Sequence, residues 1–185
     1  MRLFAAVLPP RAVLVELGLA VDRLPDGDGL RWTGRDGWHL TLAFYGDVPE
    51  TAAAELGERL GRAAVGTEPF ELALGGGGQF GGRTLWAGVR GGTEALRRLA
   101  ERAGAAGREA GLPTEHREHR PHLTLARARA TTDLTPYVTA LDTFTGAPWT
   151  VAELALMRSD LPRSGVPGER PRYEKVAAWE LTGAR

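Results

Sequence analysis

The chain has no cysteine, one lysine (Lys175) among 23 basic residues, four histidines, and no net charge, because 23 acidic residues balance the basic ones over 185 positions. Without cysteine there can be no disulfide, no thiolate nucleophile and no cysteine-ligated zinc or iron–sulfur site. The charge balance excludes a protein whose affinity rests on wrapping a long polyanion, and leaves open a small anionic ligand or a nucleic-acid end. The lysine shortage fits a GC-rich coding bias as readily as a use of bidentate arginines, and carries no functional weight. Long hydrophobic runs are missing as well. The apolar start is interrupted by Pro9, Pro10, Arg11 and Glu16. Neither a membrane span nor a signal peptide is expected there, and the chain reads as a cytoplasmic protein of one domain.

Periodicity organises what is present. "RLFAAVLP" predicts a short buried strand, and Pro10 opens a helix with Val13, Leu14, Leu17, Val21 and Leu24 on one face. After a Gly/Asp-rich loop, "WHLTLAFYG" predicts a strand, "PETAAAELGERLGRAAV" a helix with Ala53, Leu56 and Leu60 inward, and "PFELALGGGGQFG" another strand. The order then repeats. "RTLWAGVRG" predicts a strand, followed by a helix capped by Thr93 and ended by Gly111, the strand "PHLTLARA" and the short helix "DLTPYVTALDTF". Two final strands are expected, "WTVAELALMRS" and "YEKVAAWEL", as a hairpin around residues 162–171.

The repetition extends to detail. Phe4-Ala5-Ala6-Val7 matches Trp86-Ala87-Gly88-Val89, and Val7 precedes His39 by 32 residues where Val89 precedes His122 by 33. An internal duplication accounts for both, giving two lobes of about 1–80 and 81–185, with exchange of terminal strands allowed. Paired about a pseudo-twofold axis, they would place His39 opposite His122 across a groove. Strand alternation puts His39 and Thr41 on one face and Leu40, Leu42 and Phe44 on the other, with His122 and Thr124 against Leu123 and Leu125 likewise. A single H-x-T is most simply a strand edge with a β-favouring threonine. Two in matching contexts assemble two imidazoles and two hydroxyls in one cleft. In-line cleavage of a phosphodiester needs a base on one side of phosphorus, an acid on the other and donors for the phosphate oxygens, and histidine serves both proton-transfer roles near neutral pH.

These paired motifs resemble the two-histidine (2H) phosphoesterases. The strings "RLFAAVLPP", "WHLTLAFYGDVP", "LWAGV", "PHLTLAR" and "MRSDL" are similar to the branch of RNA 2′,3′-cyclic phosphodiesterases, also called 2′-5′ RNA ligase-like proteins, from Arg2 to about Tyr173. The resemblance implies an α+β fold, bilobal and pseudo-twofold, with two antiparallel-rich sheets facing a central groove and helices outside. It also implies hydrolysis of a terminal 2′,3′-cyclic phosphate to a 2′-phosphate. By motif order His39 is then the proton donor to O3′ and His122 the proton acceptor from water, with Thr41 and Thr124 on phosphate oxygens; pseudo-symmetry leaves the two histidine roles exchangeable. Arg127 matches an arginine that commonly ends the second motif, but ideal alternation puts it on the Leu125 face, so reaching phosphate requires a bend or twist.

Further contacts are expected around this centre. Phe80 offers a base-stacking surface after the glycine run, and Arg31, Arg83 and Ser159 are candidate nucleotide contacts. Trp32, Phe44 and Tyr45 are aromatic candidates for a nucleobase, although alternation turns Phe44 toward the core. The "GGGGQFGG" run lacks the Lys-Ser/Thr of a phosphate loop. His116, His119 and His122 invite a zinc reading, but the stretch is charged and broken by Pro121, so no metal and no cofactor is expected. The expected partners are RNA ends or nucleotides bearing a 2′,3′-cyclic phosphate, with no membrane, and a monomer is favoured. A 2′-5′ RNA ligase or other cyclic-nucleotide esterase is the alternative, and a non-catalytic nucleotide-binding module a third.

Overall fold

The structure, a computed structural model, describes residues 1–27, 29–114, 118–162 and 170–184. Among the described residues nine strands and four helices follow one another in the order β1 (Arg2–Val7), α1 (Arg11–Asp22), β2 (Leu30–Trp32), β3 (Leu40–Asp47), α2 (Glu50–Val65), β4 (Phe70–Phe80), β5 (Thr84–Gly91), α3 (Thr93–Glu109), β6 (Leu123–Ala128), α4 (Thr135–Leu141), β7 (Trp149–Val151), β8 (Glu153–Asp160) and β9 (Arg172–Glu180). They form two antiparallel sheets, β3-β1-β8-β9 and β2-β6-β5-β4-β7, in an α+β fold. Strands cross between the halves of the chain: β4 pairs with β5 in the second sheet, and β8, with β9 on its other edge, pairs with β1 in the first. Among the described residues no helix is long and apolar enough to cross a membrane.

Helical spacing decides which faces are covered. Leu56, Leu60 and Ala64 on α2, and Leu96, Leu99, Ala103 and Ala106 on α3, are buried in one core with Leu3, Ala5 and Val7 of β1 and Leu85 and Ala87 of β5. Each buried leucine contributes roughly 2 kcal/mol by removing its apolar surface from water. The intervening residues of β1, Phe4 and Ala6, belong to a smaller cluster with Ala155 and Met157 on the opposite face. That alternation separates a helix-covered back from an open front, and the front carries the histidine motifs.

Several expectations are corrected here. "WTVAELALMRS" is two strands in different sheets, since the chain passes from β7 to β8 at Ala152. Thr93 is the first helical residue rather than the cap; Gly92 holds the N-cap position without a side-chain bond. Strand β2, only three residues long, was hidden in a segment rich in Gly and Asp. The Phe4–Trp86 match is displaced by two residues, because Ala6 faces Thr41 where Trp86 faces Thr124. The lobes correspond through their histidine strands, not through the similar strings that precede them.

Candidate functional site

Both histidines stand at the residue before a strand and are oriented by the same local bond. His39 Nδ1 lies 2.7 Å from the Gly37 carbonyl, and His122 Nδ1 lies 2.7 Å from the Arg120 carbonyl, each two residues back. A carbonyl only accepts, so Nδ1 carries the hydrogen in both rings and Nε2 is left for proton transfer. His39 Nε2 is 2.9 Å from Thr41 Oγ1. Thr124 makes no side-chain hydrogen bond among the described residues, so its hydroxyl is open to a ligand.

Aromatic rings hold each imidazole. Phe4 lies 4.7 Å and Tyr173 5.2 Å from the His39 ring, while Phe80 lies 5.0 Å and Trp86 6.1 Å from the His122 ring, centroid to centroid. Glycines make the room. A methyl group at Gly78 would overlap the Trp86 indole, and one at Gly37 would come within 2.7 Å of the Tyr173 ring. The glycine run of β4 thus lets an aromatic ring lie flat on the sheet beside His122.

The electrostatics tie the histidines together. Burial pushes the His39 pKa below its ordinary value, the Gly37 carbonyl partly opposes this, and the charge of His122 lowers it further. His119 also lies in this field: its Nε2 is 2.9 Å from the Thr41 carbonyl, and burial and then His122 depress its pKa against the opposing pull of that carbonyl. Its Nδ1 has no partner among the described residues. His119 therefore links the segment leading into β6 to β3, a role without sequence signal because the two are 78 residues apart. His116, the third member of the zinc reading, lies outside the described residues.

A bulge in each histidine strand changes the expected faces. Leu42 in β3 and Leu125 in β6, each three residues after its histidine, have no partner on β1 and β5, and a further bulge falls at Tyr45. An extra residue reverses the alternation beyond it. Arg127 accordingly moves from the Leu125 face to that of His122 and Thr124: it sits opposite Thr84, which is flanked across β4 by Phe80, and on its other side opposite Arg31 of β2. Phe80, Thr84, Arg127 and Arg31 form one row on the open front.

Phe44 is corrected in the same way. It is 47% exposed rather than core, faces Phe4, and has the Arg2 guanidinium 5.1 Å above its ring. Tyr45 is turned inward, 1% exposed, with its hydroxyl donating to the Ala103 carbonyl at 2.8 Å, and burial raises its pKa. Trp32 packs on the main core and edge-on to Tyr137, since Arg31 takes the outward position. Tyr45 is thus unavailable to a nucleobase, and Trp32 is half-buried on the core side of β2. Ser159 is half-buried on β8 between Arg2 and Tyr173, at the far end of the first sheet's front. Arg83 stands apart, with its Nε donating to the Ala128 carbonyl at 3.2 Å. The sequence reading missed Tyr173 and Trp86 as ring neighbours; the HLTLA repeat located the histidines but not what packs beside them.

Comparison with known proteins places this arrangement. Residues 16–163 match the model of the 2′-5′ RNA ligase superfamily. The chain is 36% identical to an RNA 2′,3′-cyclic phosphodiesterase of Aeropyrum pernix over 77% of its own length and 84% of the relative's. It is 34% identical to one of Thermus thermophilus over 99% and 91%. A Geobacillus stearothermophilus relative of the same name is 33% identical over 83% of the chain, which spans about half, 48%, of that protein. Among solved structures, a protein of Thermus thermophilus superposes with a TM-score of 0.80 at 29% identity over the whole of both chains. Escherichia coli LigT complexed with 3′-AMP superposes with 0.78 at 27% over 98% of each.

Proposed function

The chain belongs to the 2′-5′ RNA ligase superfamily, and from that premise we propose that it hydrolyses the 2′,3′-cyclic phosphate at an RNA end, or on a nucleotide, to a 2′-phosphate. The observation that carries this reading is the twinned histidine geometry. Each ring is locked by a carbonyl two residues back, each has Nε2 for proton transfer, and the two are close enough for the charge of His122 to depress His39. The names of the relatives support the substrate, and the complex of LigT with 3′-AMP shows that a protein of this shape accepts a nucleotide.

In this reading His122 Nε2 takes a proton from water as its oxygen bonds to phosphorus. The bond from phosphorus to O3′ breaks, and His39 Nε2 delivers the proton that O3′ needs. Thr41 and Thr124 hold the non-bridging oxygens, and pre-aligned donors of this kind stabilise charge as it develops. The depressed pKa makes His39 the stronger acid once protonated, at the cost of a smaller protonated fraction near neutrality. Phe44 under Arg2 offers a π face to the base. Every group invoked comes from one chain, so the reading needs only a monomer, and no step calls for a metal ion.

The test is to incubate the protein with a 2′,3′-cyclic mononucleotide and with an oligonucleotide ending in the cyclic phosphate, in the presence of a chelator. A 2′-phosphate product is expected; a 3′-phosphate product, or activity that vanishes with the chelator and returns with a divalent ion, would overturn the mechanism.

A further inference from the structure

The front of the second sheet carries arginines that the hydrolytic step does not use up. Arg31 and Arg127 sit directly opposite one another on β2 and β6. The Thr33–Leu125 and Arg129–Gly29 backbone bonds on either side, at 2.8 and 3.2 Å, hold that register. Arg129, two residues beyond Arg127, continues the same face opposite Gly29. All three arginines are exposed. Among the described residues none is within ion-pair distance of a carboxylate, whereas Arg35, Arg59, Arg97 and Arg158 all are.

Like charges directly opposite each other on neighbouring strands destabilise the pair they form. A pair that the described residues leave without a counter-ion is a site for an anion supplied from outside. Guanidinium groups suit the choice of a phosphodiester, which they engage bidentately. The placement gives its identity: Arg127 and Arg31 lie one row of side chains, about 7 Å, out from Thr124, the reach of a single nucleotide along its backbone.

We infer that Arg31, paired across the strands with Arg127, forms a subsite for the internucleotide phosphodiester on the 5′ side of the terminal nucleotide, so that the protein discriminates RNA ends from free cyclic nucleotides. Arg129 is placed to meet the next phosphodiester. This inference rests on the cyclic-phosphate reading for its direction along the groove, and on the cross-strand register for the site itself.

The experiment uses the full chain and three probes: a 2′,3′-cyclic mononucleotide, a trinucleotide ending in the cyclic phosphate, and the same trinucleotide with its last linkage made a neutral methylphosphonate. The wild type is expected to show a kcat/KM about tenfold higher on the charged trinucleotide than on the other two, lost progressively with salt. In Arg31→Ala the charged and neutral trinucleotides should be handled within about twofold of each other, while Arg31→Lys should keep part of the difference. The same contrast is read by anisotropy, as the Kd of 2′-phosphate-ended trinucleotides with charged and neutral linkages, which needs no turnover. Absence of any cyclic-phosphate hydrolysis would remove the proposed reaction and leave the binding contrast to decide the subsite. A wild type indifferent to the neutral linkage in Kd, or an Arg31→Ala variant as sensitive to it as wild type, would overturn the inference.

Discussion

The strands β3 and β6 begin alike and end differently. Each follows a histidine locked to a carbonyl two residues back, reads Leu-Thr-Leu-Ala, and bulges at its third residue past the histidine. Five residues past each histidine they diverge, with Phe44 in β3 and Arg127 in β6 brought to the open front by equivalent bulges. Proton transfer across phosphorus can be served by two like halves, but a symmetric groove has no direction. The divergence supplies one: a stacked aromatic surface beside His39, and a row of guanidinium groups beside His122. In the proposed reaction this difference, rather than the histidines themselves, sets which imidazole faces O3′ and which faces water.

The symmetric part of the comparison is broken most severely by removing a proton route. His39→Ala and His122→Ala should each lower turnover by at least ~100-fold, the scale of lost acid–base assistance, with unchanged circular dichroism. Near-normal turnover by either folded variant would dispose of the two-histidine mechanism.

A pH profile sharpens the difference between the two rings. With one histidine required protonated and the other neutral, kcat/KM should follow a bell around the ordinary histidine pKa of ~6.5, untouched by chelator. Burial lowers the His39 pKa and so moves the bell toward lower pH, and a His39 variant with residual activity, lacking the group that must stay protonated, should lose the alkaline limb and keep the rise set by His122. The limbs otherwise belong to the coupled pair. A single-limbed wild-type profile would contradict the scheme.

The asymmetric part is tested five residues further on. Arg127→Ala should raise KM for a cyclic-phosphate-ended oligonucleotide by about tenfold and flatten its salt dependence, as expected for a lost charged contact. Phe44→Ala should raise KM by a similar factor with no change in salt dependence, as expected for lost base stacking. Identical salt responses in the two variants would erase the distinction between the sides. Smaller again are Thr41→Ala and Thr124→Ala, each expected to cost about fivefold in kcat/KM, since each removes one hydrogen bond rather than a proton route.

The smallest effect is on stability. His39 and His119 have folded pKa values below the unfolded value, so between the two values the unfolded chain binds more protons, and stability is lost as pH falls from ~6.5 toward the lowered folded values. Urea midpoints at pH 5 and 7.5 should show this decline, and it should shrink in His119→Phe. A midpoint independent of pH would mean that neither ring is kept neutral by the fold.

Much of this was legible in the residues. The helix positions Leu17, Leu56, Leu60, Leu96 and Leu99 are buried as their spacing requires, because a periodicity of 3.6 is a local property of the chain. The duplicated HLTLA motif marked both histidines, because the bond that orients each ring spans only two residues. Arg127, Phe44, Tyr45 and Trp32 show the boundary. For the first three, period-two reasoning holds only until the first bulge, and a bulge is seen only when one strand is laid against its partner. For Trp32 the strand was too short to announce itself.

What the sequence by itself determined is therefore what neighbours along the chain can settle: the order of the four helices and of the longer strands, the absence of thiol chemistry, and two histidines each followed by a threonine on the same face. The tertiary structure alone decided the pairing of β4 with β5 and of β8 with β1, the contact of His119 with Thr41 across 78 residues, and which of Phe44, Tyr45 and Arg127 reach the open front. The physical reason is common to all three. Which face a strand residue occupies depends on how the strand's backbone hydrogen bonds are shared with its partners, and that sharing is a property of pairs of strands that no single segment encodes.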